Sequence, residues 1–95
     1  MEVSNVEPSH IAFRRGIILL SGFMLRTKPE ELLPIFSRLV VLEVREDRFN
    51  DRFRYLAVSP DFELWNPVEA MEPPEYAIII STKDDVVSAV TFKKL

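Results

Sequence analysis

The chain has no cysteine, only two glycines and one histidine. Without cysteine it can form no disulfide framework, thiolate zinc site or cysteine nucleophile, and this composition fits a reducing compartment. Neither Gly16 nor Gly22 precedes the kind of helix start that cradles a phosphate group. His10 follows Ser9, but adjacent residues of a strand point to opposite faces, so the two make a poor catalytic dyad. We therefore expect no enzymatic activity, no cofactor and no metal ion.

A secretory or membrane-spanning segment is also missing from the sequence pattern. Residues 1–9 predict a polar tail in front of one globular domain at residues 10–95, and they lack the basic and apolar regions of a signal peptide. The most apolar stretch, Gly16 to Leu25, is far shorter than the roughly 20 residues that a spanning helix needs. The expectation is a soluble cytoplasmic protein that has no membrane partner.

Positive charge is absent from Tyr55 to Thr82, although the net charge of the whole chain is only −3. Within this region, residues 61–76 (DFELWNPVEAMEPPEY) hold five carboxylates, three prolines and the single tryptophan of the chain. Such a charge distribution disfavours non-specific binding to nucleic acid or to an anionic membrane.

The apolar pattern of the first half predicts one strand and one helix. Nearly continuous apolar residues from Ile11 to Arg26 predict a strand that is covered on both faces, with Gly22 at a bulge or a close backbone approach. The alternative is two short strands joined by a turn at Arg15-Gly16. The sequence Thr27-Lys28-Pro29-Glu30 is a capping box. The apolar stripe that follows it predicts a short helix, kinked at Pro34; the stripe is Leu32, Ile35, Phe36 and Leu39.

The second half predicts two antiparallel hairpins. Val40–Arg45 pairs with Arg52–Val58, and Tyr76–Ser81 pairs with Val86–Lys93. The predicted fold class is α+β, a curved antiparallel sheet of about five strands packed on one short helix, in the order β-α-β-β-β-β. The residues expected in its core are Leu32, Ile35, Phe36, Leu42, Phe53, Tyr55, Ile79, Val90 and Phe92.

Arginines alternate with aromatic residues between Arg48 and Tyr55, a pattern that can bind single-stranded nucleic acid. The same alternation describes an amphipathic strand whose aromatic residues face the core and whose arginines face solvent or pair with acids on a neighbouring strand. Arg48, Arg52 and Arg54 are therefore a secondary candidate for nucleic-acid contact, and a nucleic-acid partner is not expected.

Residues 61–76 are the main candidate for a functional site. Their prolines exclude a helix and a central strand. In one interpretation the segment is a packed connection in which Phe62, Leu64 and Met71 plug the core. In the other, an exposed apolar patch rimmed by carboxylates binds a basic protein partner. The candidate partner-binding residues are Trp65, Glu69, Met71, Glu72, Glu75 and Tyr76.

Pro74-Glu75-Tyr76, followed by an apolar strand, a polar turn and a closing Lys94-Leu95, resembles the C-terminal part of the phage uracil-DNA glycosylase inhibitors, which are small acidic proteins that mimic DNA. The resemblance is confined to this C-terminal part and does not assign the chain to that family. It implies, as an alternative function, an acidic inhibitor of a DNA-binding protein. A second alternative is a small-ligand binder with a pocket between helix and sheet.

The predicted function is non-catalytic and consists of protein–protein interaction or self-association. We expect a homodimer on two grounds: a sheet of this kind has an exposed edge, and Gly16–Leu25 is more apolar than a small monomer easily covers.

Overall fold

A computed structural model describes residues 13–95; the predicted tail of residues 1–9 and His10 lie outside the described residues. The elements, in chain order, are β1 (Arg15–Ser21), α1 (Gly22–Thr27), α2 (Pro29–Phe36), β2 (Val40–Asp47), β3 (Arg52–Val58), β4 (Tyr76–Lys83) and β5 (Val86–Lys94). The predicted α+β class with five antiparallel strands is confirmed. Within residues 13–95 there are two helices instead of one, and the strands form two sheets.

The first apolar stretch is a strand followed by a helix, and the prediction of one continuous strand was wrong. Ser21 ends β1 and caps α1, because its Oγ accepts a hydrogen bond from the amide of Met24 at 3.0 Å. A serine at this position satisfies an amide that the first turn of a helix leaves unpaired. Gly22 is consequently the first residue of α1 and not a bulge in a strand, but the close approach that was the other predicted reason for glycine is present, because its amide donates to the carbonyl of Asp51 at 2.7 Å.

The predicted capping box at Thr27 does not form. Thr27 ends α1, and its hydroxyl donates a hydrogen bond to the carbonyl of Phe23 at 2.7 Å instead of capping the next helix. The second helix starts at Pro29, whose missing N–H needs no partner at that position. Pro34 lies inside α2 as predicted, and the helix ends two residues later. The predicted apolar stripe faces the core: Ile35 is buried, while Leu32, Phe36 and Leu39 pack against the core cluster.

Both predicted hairpins are confirmed. The three-stranded sheet has the order β1-β3-β2, and the two-stranded sheet pairs β4 with β5. The outer edge of β1 is partly covered, because the amide of Ile17 donates to the carbonyl of Pro74 at 2.9 Å and Ile17 forms a parallel bridge with Glu75. In the described part of the chain, only β3 pairs with β2, so β2 has an open edge.

The core is built around the ring of Phe62, which is stacked on the ring of Tyr76 with their centroids 4.3 Å apart. Phe92 meets Phe62 edge-on at 5.2 Å. The predicted burial of both faces of the first strand is confirmed for β1, since the successive residues Ile17 and Ile18 are both buried. The core cluster also contains Leu20, Ile35 and Ala57.

Two residues that were expected in the core are exposed. Leu42 lies where the register of β2 against β3 shifts, and this bulge breaks the alternation on which its predicted burial depended. Ile79 lies on the face of β4 opposite to Ile78 and Ile80, which pack against the core. The other seven expected core residues are buried or half-buried.

Candidate functional site

Residues 61–76 connect β3 to β4 without a helix or a strand until Tyr76 begins β4, and backbone hydrogen bonds fix their course. The amide of Trp65 donates to the carbonyl of Phe13 at 2.7 Å. The amide of Glu63 donates to the hydroxyl of Tyr76 at 2.7 Å. The segment is therefore held against the start of β1 and the start of β4.

The packed-connection interpretation holds for Phe62 and fails for Leu64 and Met71. Phe62 is buried in the core, whereas Leu64 is exposed and Met71 retains 94% of its accessible surface. The opposite correction applies to Tyr76, which the sequence placed among the partner contacts. Tyr76 is only 4% exposed and its hydroxyl is bound to the amide of Glu63, so it cannot contact a partner.

Trp65 is half-exposed and held in one orientation. Its Nε1 donates to the carbonyl of Ala70 at 2.9 Å, and the guanidinium of Arg15 lies 5.8 Å from the ring centroid. The turn between Trp65 and Ala70 is closed by Asn66, whose Oδ1 accepts a hydrogen bond from the amide of Val68 at 2.9 Å. Asparagine side chains stabilise turns in this way. The indole is therefore a fixed wall of the surface beside it.

Beside Trp65 lies an open groove of about 500 Å³, which we call the Trp65 groove. It is lined by Phe13, Leu64, Trp65, Asn66, Pro67 and Glu69. Phe13 and Leu64 are both exposed, so apolar surface is concentrated at this place. The carboxylate of Glu69 accepts from the side-chain amide of Asn66 at 3.2 Å. Of the predicted partner-binding residues, only Trp65 and Glu69 line this groove.

Sequence reasoning missed the contribution of Phe13, Leu64, Asn66 and Pro67 to the groove. The Asn66-Pro67 dipeptide was a usable signal, because asparagine followed by proline favours the start of a turn. Phe13 gave no local signal, since it reaches the groove only through the hydrogen bond that joins its carbonyl to Trp65.

Ion pairs with other elements neutralise most of the predicted acidic rim. Three of the five carboxylates of residues 61–76 have a cationic partner: Asp61 pairs with Arg38, Glu63 with Lys94, and Glu72 with Arg54. Glu69 and Glu75 are the two that form no ion pair within residues 13–95. The stretch without lysine or arginine in the sequence is therefore not a stretch without positive charge in the fold.

The three arginines of the secondary candidate surface are also paired with acids. Arg48 contacts Glu46 at 3.5 Å, Arg52 contacts Asp47 at 3.4 Å, and Arg54 contacts Glu72 at 2.7 Å. The Arg52–Asp47 pair joins directly opposite residues of β3 and β2. On the other face of β3, the ring of Tyr55 lies 5.3 Å from that of Phe36. This is the arrangement expected of an amphipathic strand, with the aromatic ring on the core face and the arginines paired with acids on the other.

A second open groove, of about 560 Å³, lies between the end of α2 and β5. Its wall includes Arg38, whose guanidinium donates two hydrogen bonds to Asp61 at 2.5 and 2.6 Å. These bonds raise the pKa of Arg38 and lower the pKa of Asp61. The charged pair in this groove is therefore satisfied by the chain itself.

The Asp61–Arg38 pair predicts a pH-dependent contribution to stability. A carboxyl whose pKa is lowered by folding stabilises the folded state above its unfolded pKa of about 4, and this contribution is lost as the pH falls through the folded pKa. We expect Asp61→Asn to melt below the wild type at pH 7, with a difference that persists to about pH 5 and then shrinks at lower pH.

Thermal melts between pH 2 and pH 7 measure this difference. Glu75→Gln is the matched control, because Glu75 has no ion pair within the described residues, and it should follow the wild type throughout. A difference for Asp61→Asn that stays constant down to pH 2 would mean that the charge of Asp61 does not stabilise the fold.

Comparison with protein-family models, curated proteins and solved structures gives no match to this chain. No helix in the described part of the chain is long and apolar enough to cross a membrane. The same residues contain no group of three or more His, Asp or Glu side chains that could hold a metal ion.

Proposed function

We propose that this chain is a non-catalytic cytoplasmic protein that binds a protein partner through the Trp65 groove. The observation that supports this proposal most directly is a half-exposed tryptophan, fixed by its hydrogen bond to Ala70, beside two exposed apolar side chains. Tryptophan is enriched at protein interfaces, and a side chain that is already ordered loses less entropy on binding. The groove is large enough for one bulky apolar side chain of a partner.

The proposed preference for a basic partner depends on Glu69 and no longer on all five carboxylates of residues 61–76. Glu69 lines the groove and forms no ion pair within residues 13–95, so it can receive a lysine or arginine that follows the apolar anchor of the partner. The ion-paired carboxylates Asp61, Glu63 and Glu72 contribute little to this preference. The partner segment that fits best combines an aromatic or apolar side chain with an adjacent positive charge.

The two alternative functions have less support. A mimic of nucleic acid needs a row of unpaired carboxylates, whereas three of the five acids in residues 61–76 pair with cations of the same chain. A small-ligand binder needs an enclosed pocket, whereas the groove between α2 and β5 is open and its charged pair is internally satisfied.

Peptides selected from a random display library for binding to the intact chain test the proposal. We expect Trp65→Ala and Leu64→Ser to weaken the binding of the selected peptides about tenfold or more, as the loss of an interface anchor does. Leu33→Ser is the matched control, because Leu33 is an exposed leucine on α2 outside the groove. Titration calorimetry measures the affinities.

Glu69→Gln tests the contribution of charge to peptide binding separately from the contribution of apolar contact. The variant should keep its melting temperature, while its affinity for lysine- or arginine-containing peptides becomes less dependent on salt concentration. If Trp65→Ala and Leu64→Ser bind the selected peptides as the wild type does, and Trp65→Ala only lowers stability, then residues 61–76 are a packed connection and the proposal is wrong.

A further inference from the structure

The open edge of β2 carries apolar side chains that nothing in residues 13–95 covers. These side chains expose between 38% and 64% of their surface and belong to Val40, Val41, Leu42 and Val44. Edge strands are commonly protected against pairing by proline, by charged residues such as lysine, or by a bulge. β2 has no lysine or proline, but it has the bulge at Leu42 and charged residues between Glu43 and Asp47. The bulge at Leu42 interrupts the strand once and leaves Glu43–Asp47 in regular register with β3.

The sequence predicted a homodimer on two grounds, an exposed sheet edge and the apolar stretch Gly16–Leu25. The structure has an exposed edge at β2, but Ile17, Ile18 and Leu20 of the apolar stretch are at most 2% exposed in the single chain. The strand part of the stretch is therefore covered by the chain itself. The edge of β2 is the apolar surface that a second copy can cover, and its residues are distinct from those of the Trp65 groove.

We propose that a second copy of this chain pairs with β2 in antiparallel orientation, about a two-fold axis that passes between the Val44 residues of the two copies. In this register Val44 lies opposite Val44 of the second copy, and Glu43 of each copy lies opposite Arg45 of the other. Glu43 and Arg45 share one face of the strand and already contact each other at 3.0 Å within the chain. Two copies therefore bring four charges of alternating sign together.

Charge favours this register over its neighbours. Moving the axis to Glu43 places the two Glu43 side chains opposite each other, and moving it to Arg45 places Glu43 opposite Asp47. An axis between two successive residues is excluded, because directly opposite side chains share one face of the sheet and successive residues do not. Like charges at directly opposite positions destabilise a strand pair, and opposite charges stabilise it.

The proposed register also extends the apolar face of the sheet. Val44 lies beside Tyr55 of β3, and the ring of Tyr55 contacts Phe36 of α2. A second Val44 at the axis covers the exposed side of the first, so the core face of one copy continues into that of the other. The dimer thus has an apolar centre on one face and paired charges on the opposite face.

Charge reversal tests the contacts across the axis. Glu43→Arg and Arg45→Glu each place like charges opposite each other in both pairs of a homodimer, so each should raise the dissociation constant about tenfold or more. An equimolar mixture of the two variants restores both attractive pairs in a heterodimer and should form more dimer than either variant alone. Both side chains are exposed, so the fold is retained. Sedimentation velocity across the micromolar range measures the association.

Single cysteine substitutions test the register independently, because the natural chain has no cysteine. Val44→Cys places two thiols opposite each other at the axis, where a disulfide can form after a small adjustment. Leu42→Cys is the matched control: both side chains are 47% exposed, but the Leu42 positions of the two copies are roughly 13 Å apart in this register. We expect a covalent dimer from Val44→Cys and not from Leu42→Cys.

Two results would overturn the proposal. One is a wild-type mass that remains that of a monomer at every concentration, which would leave the edge to a strand of a different protein. The other is equal cross-linking of the two cysteine variants, which would show that contact between copies is not in the proposed register.

Discussion

Replacing Phe62 with alanine is expected to lower the free energy of unfolding by about 3–5 kcal/mol, a large part of the total stability of a small domain. The side chain is only 1% exposed and is held between the rings of Tyr76 and Phe92. Its removal leaves a cavity where α2, β1, β4 and β5 contribute side chains to one cluster, and a close-packed core cannot collapse to fill such a cavity. Denaturant unfolding measures the loss.

Phe49→Ala is the matched control for this experiment. Phe49 is fully exposed in the turn between β2 and β3, so its removal should change the stability by no more than about 0.5 kcal/mol. If Phe62→Ala costs less than about 1 kcal/mol, the start of the connection is not part of the core, and the stacking of Phe62 on Tyr76 does not stabilise the fold.

The strand pattern could be predicted from the sequence because alternation is a local property. The third strand begins and ends at the predicted residues, Arg52 and Val58, and both hairpins pair as expected. The pattern was less informative about burial. In the sequence, Leu42 alternates with its neighbours, but in the fold the bulge breaks this alternation and the open edge of β2 leaves Leu42 exposed. Neither feature is encoded in the spacing of apolar residues.

The first helix was missed because the apolar stretch that contains it was interpreted as one strand, in which Ser21 had no capping role. The capping signal that was recognised, Thr27 with Pro29 and Glu30 after it, belongs to the helix that follows. In the fold, Ser21 caps a helix and the hydroxyl of Thr27 bonds back to Phe23. A continuous apolar stretch has no period that distinguishes a strand from a short helix, so only the structure places this boundary.

The charge of the candidate site could not be predicted for a different reason. Asp61 meets an arginine 23 positions earlier in the chain, and Glu63 meets a lysine 31 positions later. Counting charges along residues 61–76 cannot find these partners, because only tertiary folding brings them together. The lone tryptophan could be singled out from the sequence, since an aromatic residue among prolines is a local feature.

Gly16→Ala is expected to destabilise the protein by about 2–3 kcal/mol, whereas Gly22→Ala should be close to neutral or slightly stabilising. A Cβ atom on Gly16 would lie 2.7 Å from Cδ1 of Tyr76 and 2.8 Å from Cδ2 of Phe62. Those rings are buried and stacked on each other, so neither can move away without opening the core.

Gly22 is the matched control because exposed charged side chains surround it instead of buried aromatic rings. A Cβ atom there would meet the carboxylate of Asp51 and the guanidinium of Arg26, both of which are exposed and able to turn away. Alanine also favours a helix over glycine by about 1 kcal/mol, although less at a helix end. Neither glycine has a positive φ, so the comparison measures space and not backbone freedom. Equal losses in denaturant unfolding would mean that the approach of β1 to the Phe62–Tyr76 stack is not what requires glycine at position 16.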